Sequence, residues 1–233
     1  MKTTIYLLPG LMCDQKLWSK LTPLFDDSYE LIFLDIPLKT SFDEMLEDLI
    51  LLLPSNPVLL LGFSLGGYIA SYFAVKYPQR VEKLFVLSSS CKPIVQEEIK
   101  KREQAIALVD SYGFKGLSYK KVQSLLEYDN QNNQELIALI QEMYINMGQN
   151  AFKTQMQASL VRKDLLNKLS MLNLPISLCC SKNDTLVDVS WLKTLVEKNP
   201  KIHLHLFQGT SHMLPLEKPQ ETALEIKKWA QFS

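Results

Sequence analysis

The sequence predicts an α/β fold: a doubly wound, mostly parallel sheet of about six strands, with a helical segment inserted between two of them. Three observations lead there. Short β-rich runs alternate with helical patterns at both ends of the 233-residue chain. The strand runs are almost continuously apolar rather than alternating, as in strands covered on both faces. From about Pro93 to Ser170 there is helical periodicity and no convincing strand.

The expected strands are Thr4–Leu8, Leu31–Leu34, Val58–Phe63, Leu84–Ser88, Ile176–Cys180 and Ile202–Phe207. Helices are expected between them at Phe42–Leu53, Leu65–Tyr77 and Ser190–Lys198, with a last one at Thr222–Trp229. Strands and helices that alternate in this way build a parallel sheet flanked by helices. The middle stretch divides into helical patterns at Ile99–Val109, Tyr119–Tyr128, Gln134–Asn146 and Ala151–Leu169. Helices inserted at such a place cover the carboxyl edge of the sheet, where open α/β sheets bind ligands. The expected organisation is therefore a core of residues 1–92 and 171–233 and a helical lid of residues 93–170, in one compact unit.

Composition narrows the function. Apolar residues make up 47% of the chain and charged residues 21%, as in a globular protein with a substantial core. Lys plus Arg equals Asp plus Glu at 25 each, so no global field draws the chain to nucleic acid or to an anionic membrane. No apolar run approaches the roughly 20 residues that cross a bilayer. The run from Ile5 to Leu8 ends at Pro9-Gly10 and reads as a buried strand, not as a signal peptide. Cys13, Cys91, Cys179 and Cys180 show neither C-x-x-C nor a metal-ligand spacing with histidine, and read as reduced thiols of a cytoplasmic protein.

Residues Leu59–Gly67 read L-L-L-G-F-S-L-G-G, a buried strand running through G-x-S-x-G into a helix. A serine hydroxyl is a poor nucleophile unless held exposed beside a base. A sharp strand-to-helix turn holds it so, and the crowded turn needs glycine two residues to either side, here Gly62 and Gly66. Ser64 is the candidate nucleophile; the plainer role for such a serine is a helix N-cap. Of three histidines, His203 and His205 alternate on one strand face, a weak metal signal without a third ligand. His212 follows the last strand in Q-G-T-S-H-M-L-P and is the candidate base. Asp184 comes directly off the preceding strand and is the candidate partner of the imidazole, whereas Asp188 reads as a helix-start residue. The backbone N–H of Leu65 and that of Leu11, with Met12 competing, are the candidate oxyanion donors.

These residues together resemble the α/β-hydrolase superfamily, in particular its small esterase-like members with a helical lid. The likeness runs through L-L-P-G-L, G-F-S-L-G-G, Y-P-Q-R-V-E-K-L-F-V-L-S, L-P-I-S-L…K-N-D and G-T-S-H-M-L-P-L-E-K-P. Pro9-Gly10 stands where family members usually carry His-Gly, and the chain starts at the family's third strand. The resemblance implies a carboxylesterase-like hydrolase (EC 3.1.1 class) acting on an ester or thioester through an acyl-enzyme on Ser64, with no metal or organic cofactor. Its partner would be a small-molecule acyl ester, with no nucleic acid and no membrane. Met143, Met147, Met156, Tyr112, Tyr119, Tyr128 and Tyr144 in the lid are expected either to line an apolar acyl pocket or to pack the lid helices together.

Three alternatives accompany this reading. A lyase or carbon–carbon hydrolase can use the same triad, as in the SHCHC synthases that this chain resembles around S-L-G-G. Those enzymes usually carry Arg where Tyr68 stands. The pimeloyl carrier-protein methyl ester esterases are also similar, and Lys100-Lys101-Arg102 would then meet an acidic acyl carrier protein. A non-catalytic ligand-binding member of the superfamily is the third.

Overall fold

Six parallel strands lie in the order β2-β1-β3-β4-β5-β6 in the computed structural model, which describes residues 2–231. The strands are β1 (Thr3–Leu8), β2 (Tyr29–Phe33), β3 (Val58–Phe63), β4 (Val81–Leu87), β5 (Ile176–Ser181) and β6 (Ile202–Phe207). Each expected strand is present, with ends shifted by three residues at most.

Apolar residues from both faces of the strands explain the continuous runs. Leu59, Leu61 and Phe63 of β3 pack with Phe85 and Leu87 of β4 on one side of the sheet. Val58 and Leu60 pack with Leu84 and Val86 on the other. Successive side chains point to opposite faces, and here both faces are covered. Helices α1 (Phe42–Leu52), α2 (Leu65–Lys76) and, later in the chain, Val189–Lys198 bury their apolar sides in the second cluster. The carboxyl-terminal helix, Pro219–Gln231, packs Ala223, Ile226 and Trp229 into the first. Helix α2 is buried on all sides from Leu65 to Ala74, which suits its central place behind β3.

The chain leaves β1 for β2 on one side and returns to β3 on the other. Between β1 and β3 the strand order therefore reverses, and the loops from their carboxyl ends diverge to open a crevice.

Between β4 and β5 the chain is helical, as expected, but its pieces differ from the sequence pattern. They are α3 (Gln96–Tyr112), α4 (Tyr119–Gln123), α5 (Gln134–Ser159) and α6 (Leu166–Ser170). The expected helix Tyr119–Tyr128 stops at Gln123, because Leu125 and Leu126 turn into the core. The expected helices Gln134–Asn146 and Ala151–Leu169 are both present within α5, separated by a kink at Gly148 (φ 76°, ψ 177°), but the second ends at Ser159. Residues 160–165 then leave the helical path, where the Lys163 N–H donates to Tyr68 Oη at 2.8 Å. After β5 come α7 (Val189–Lys198), α8 (Leu214–Glu217) and α9 (Pro219–Gln231). Among the described residues, no helix is long and apolar enough to cross a membrane.

A Cβ added at Gly148 would meet no atom within 4 Å, so any penalty there is one of backbone conformation. Gly148→Ala is expected to destabilise the protein by about 1–3 kcal/mol, read from chemical denaturation, since this φ/ψ region is nearly exclusive to glycine.

Candidate active site

Three non-glycine residues have positive φ among the described residues: Met12 (56°), Ser64 (50°) and Ser88 (48°). They follow β1, β3 and β4, so the backbone strain gathers at the carboxyl edge of the sheet, beside the crevice.

Ser64 stands between the end of β3 and the first residue of α2, and its N–H donates to the Leu87 carbonyl at 2.8 Å. The turn is possible only because the backbones around it touch. A Cβ on Gly62 would lie 2.2 Å from the Gly66 carbonyl oxygen, and one on Gly66 would lie 2.3 Å from that of Pro9. Gly10 faces the same turn, with space for a Cβ closed by the Phe63 ring at 2.8 Å and by Ser64 Cβ at 3.3 Å. The loop after β1 is thereby pressed against the serine.

His212 Nε2 is 3.0 Å from Ser64 Oγ, and its Nδ1 is 2.7 Å from Asp184 Oδ2. Asp184 and His212 are both buried, and the other Asp184 oxygen accepts the Leu186 N–H at 2.9 Å. With Nδ1–H donated to the carboxylate, Nε2 is left to accept the serine proton. The three residues singled out in the sequence thus meet in one hydrogen-bonded chain. Asp188 does not join it: it caps α7 by accepting the Trp191 N–H at 3.0 Å, and it pairs with Lys92 Nζ at 2.7 Å. That lysine, with Ser190 Oγ–H, holds the Asp188 carboxyl well below the usual carboxylate range. His203 and His205 point outward from β6, and His205 Nδ1 lies 3.7 Å from Glu225.

The Leu65 amide opens α2, where backbone N–H groups have no helical acceptor. Of the two competitors after β1, Met12 is occupied: its N–H donates to the buried side-chain oxygen of Gln155 at 2.9 Å. The Leu11 N–H has no acceptor among the described residues, which favours Leu11.

Gln155 is one of several residues that sequence reasoning missed. The His212 N–H donates to the Leu125 carbonyl at 2.9 Å, so the early turn after α4 supports the histidine loop. Glu127 accepts the Thr210 N–H at 3.0 Å, and Glu217 accepts from the Glu127 N–H and from Asn130 Nδ2, both at 2.9 Å, and from Ser211 Oγ–H. Burial raises the Glu217 carboxyl above its ordinary value. These contacts join residues 83–143 positions apart in sequence or lie in unremarkable polar runs, where no local pattern marks them.

A cavity of about 520 Å³ opens beside the serine. Its walls include Ser64, His212, Ser88, Arg102 and Arg162. None of the expected methionines and tyrosines lines it. Tyr112, Tyr119 and Tyr128 are exposed, Met143 and Tyr144 are buried in the core, and the wall is mostly polar and charged, with Ile94, Leu186, Val187 and Val189 among its apolar residues. Met143 and Tyr144 thus take the other expected role, packing among the helices. The basic run is also divided: Lys101 pairs with Glu97 at the surface, while Arg102 turns inward to Glu98 and Ser159.

The architecture is that of an α/β hydrolase. The profile of the family described as serine aminopeptidase, S33, matches residues 39–219, and the chain belongs to that family. It is 21% identical over 249 aligned positions to monoacylglycerol lipase ABHD6 of Bos taurus, covering 95% of this chain and 73% of the relative. A thermophilic esterase from Thermogutta terrifontis superposes with a TM-score of 0.85 at 20% identity, over 98% of this chain and 89% of that one. The enol-lactonase from Burkholderia xenovorans LB400 superposes at 0.86 with 13% identity, over 100% and 92%.

Gln155→Leu leaves the Met12 N–H without its acceptor in a buried place. It is expected to lower stability by about 1–3 kcal/mol in thermal or chemical unfolding, the penalty of an unsatisfied buried donor.

Proposed function

We propose that this hydrolase cleaves a carboxylic ester or thioester through an acyl-enzyme on Ser64. The observation that carries the reading is the continuous chain from Ser64 Oγ through both ring nitrogens of His212 to Asp184, at 3.0 and 2.7 Å. His212 Nε2 takes the hydroxyl proton as Oγ attacks the acyl carbonyl carbon. The tetrahedral oxyanion is held by the N–H groups of Leu65 and Leu11. His212 then returns the proton to the leaving alcohol or thiol as the carbonyl re-forms. In the second half, water gives its proton to the same nitrogen and attacks the acyl-enzyme, and the acid leaves with Ser64 restored.

Asp184 fixes the tautomer and stabilises the imidazolium that forms at each attack. The names of the relatives, a lipase, an esterase and a lactonase, point to the same bond type, and the fold by itself does not choose the reaction.

The test is steady-state hydrolysis of short-chain p-nitrophenyl esters. Ser64→Ala and Asp184→Asn are each expected to lower kcat by about 10³-fold or more, with folding unchanged by circular dichroism. A Ser64→Ala protein that keeps wild-type kcat would remove the acyl-enzyme from the account.

A further inference from the structure

The cavity beside Ser64 carries more positive charge than its own residues neutralise. Lys92, Arg102, Arg162 and Lys182 face it, against Glu98, Asp184 and Asp188. The carboxylates are all engaged: Asp184 with His212, Asp188 with Lys92, and Glu98 with Arg102. Arg162 is left over. Among the described residues it makes no hydrogen bond and no ion pair, and its Nε is buried without a partner. Its guanidinium instead lies over the Tyr68 ring, Cζ 5.0 Å from the centroid.

That position is held firmly. Tyr68 Oη accepts the Lys163 N–H at 2.8 Å and donates to the Lys163 carbonyl at 3.3 Å, while Lys163 Nζ reaches Tyr72 Oη at 2.9 Å. Burial, and then the Arg102 charge, bring the Arg162 guanidinium down to about 10, so it remains protonated at neutral pH. Arg162 is half-buried, so its terminal guanidinium nitrogens, which have no protein partner, are open to an anion that enters the cavity.

We propose that Arg162 forms the seat of a carboxylate carried by the substrate, at a distance along the molecule from the ester that Ser64 attacks. The inference rests on the Ser64 reading above and names the substrate class for it: a monoester of a dicarboxylic acid, or an ester with an acidic leaving group. An arginine fork matches a carboxylate in two parallel hydrogen bonds. The wall has an excess of one positive charge, which suits a monoanion. Lys182, exposed and without an ion pair among the described residues, faces the same cavity and draws an anion in. The carboxylate takes no part in bond changes. It orients the ester, which is cleaved by water to an acid and an alcohol.

The test compares p-nitrophenyl hydrogen glutarate with p-nitrophenyl valerate, equal in chain length and differing in the terminal carboxylate. Wild type is expected to favour the glutarate ester in kcat/KM by at least about tenfold, the scale of a charge-assisted hydrogen bond. Arg162→Leu is expected to bring that ratio to near unity, and Arg162→Lys to restore part of it. No preference in wild type, or a Leu variant that slows both esters by one factor, overturns the proposal and leaves the Ser64 reading standing.

Calorimetric titration of free glutarate into Ser64→Ala protein gives a readout that does not depend on turnover. Binding that disappears in the Ser64→Ala/Arg162→Leu double variant supports the seat even should neither ester be hydrolysed. Absent binding, or equal binding in both proteins, overturns it.

Discussion

Everything at the site depends on one contact between backbones. Gly62, at the end of β3, and Gly66, in the first turn of α2, approach carbonyl groups so closely that a single methyl group on either would lie 2.2–2.3 Å from an oxygen. That approach allows Ser64 to take a φ of 50° and stand out from the turn instead of lying along the helix. The same contact brings the carbonyl of Pro9 against α2 and so presses the loop after β1 against the serine. The surrounding core supports the strain. Leu60, Leu61, Leu65 and Ile69 are fully or almost fully buried around the turn.

The rest of the constellation is assembled from loops that leave the same sheet edge, and the helices between β4 and β5 brace those loops. Gln155 of α5 holds the Met12 amide, the Leu125 carbonyl holds the backbone of His212, and Glu127 holds Thr210. Each brace uses a backbone group that would otherwise be left unpaired in a loop. The helical segment therefore shapes both sides of the serine, and it contributes Glu98, Arg102 and Arg162 to the cavity wall. A site built this way is rigid where proton transfer needs a fixed geometry, and polar where a substrate must be oriented.

Much of this was legible in the sequence, and the reason is locality. The inner strands declared themselves as continuous apolar runs because both of their faces are buried, whereas the outer strand β6 exposes His203 and His205. Ser64 was legible because the turn's geometry demands glycine at fixed offsets. His212 and Asp184 were legible because each follows a strand that ends at the same edge. What could not be read depends on side chains that meet only after folding. Gln155 and Arg162 lie in helical or loop stretches with no distinctive spacing, and their meaning comes from partners that are present or missing in space. Of the two roles open to the tyrosines of the helical segment, core packing holds for Tyr144 and pocket lining for none. Tyr112 and Tyr128, on separate elements, are 72% and 82% exposed and look to solvent, not to the cavity.

The most direct measurement is intact mass after exposure of the purified protein to a fluorophosphonate, a reagent that phosphonylates serines activated by a base. The account predicts a single adduct on the wild-type chain and none on a folded Ser64→Ala variant. A well-folded wild-type protein that takes up no adduct, or a variant that is still labelled, would contradict the claim that the strained turn presents Ser64 as the nucleophile.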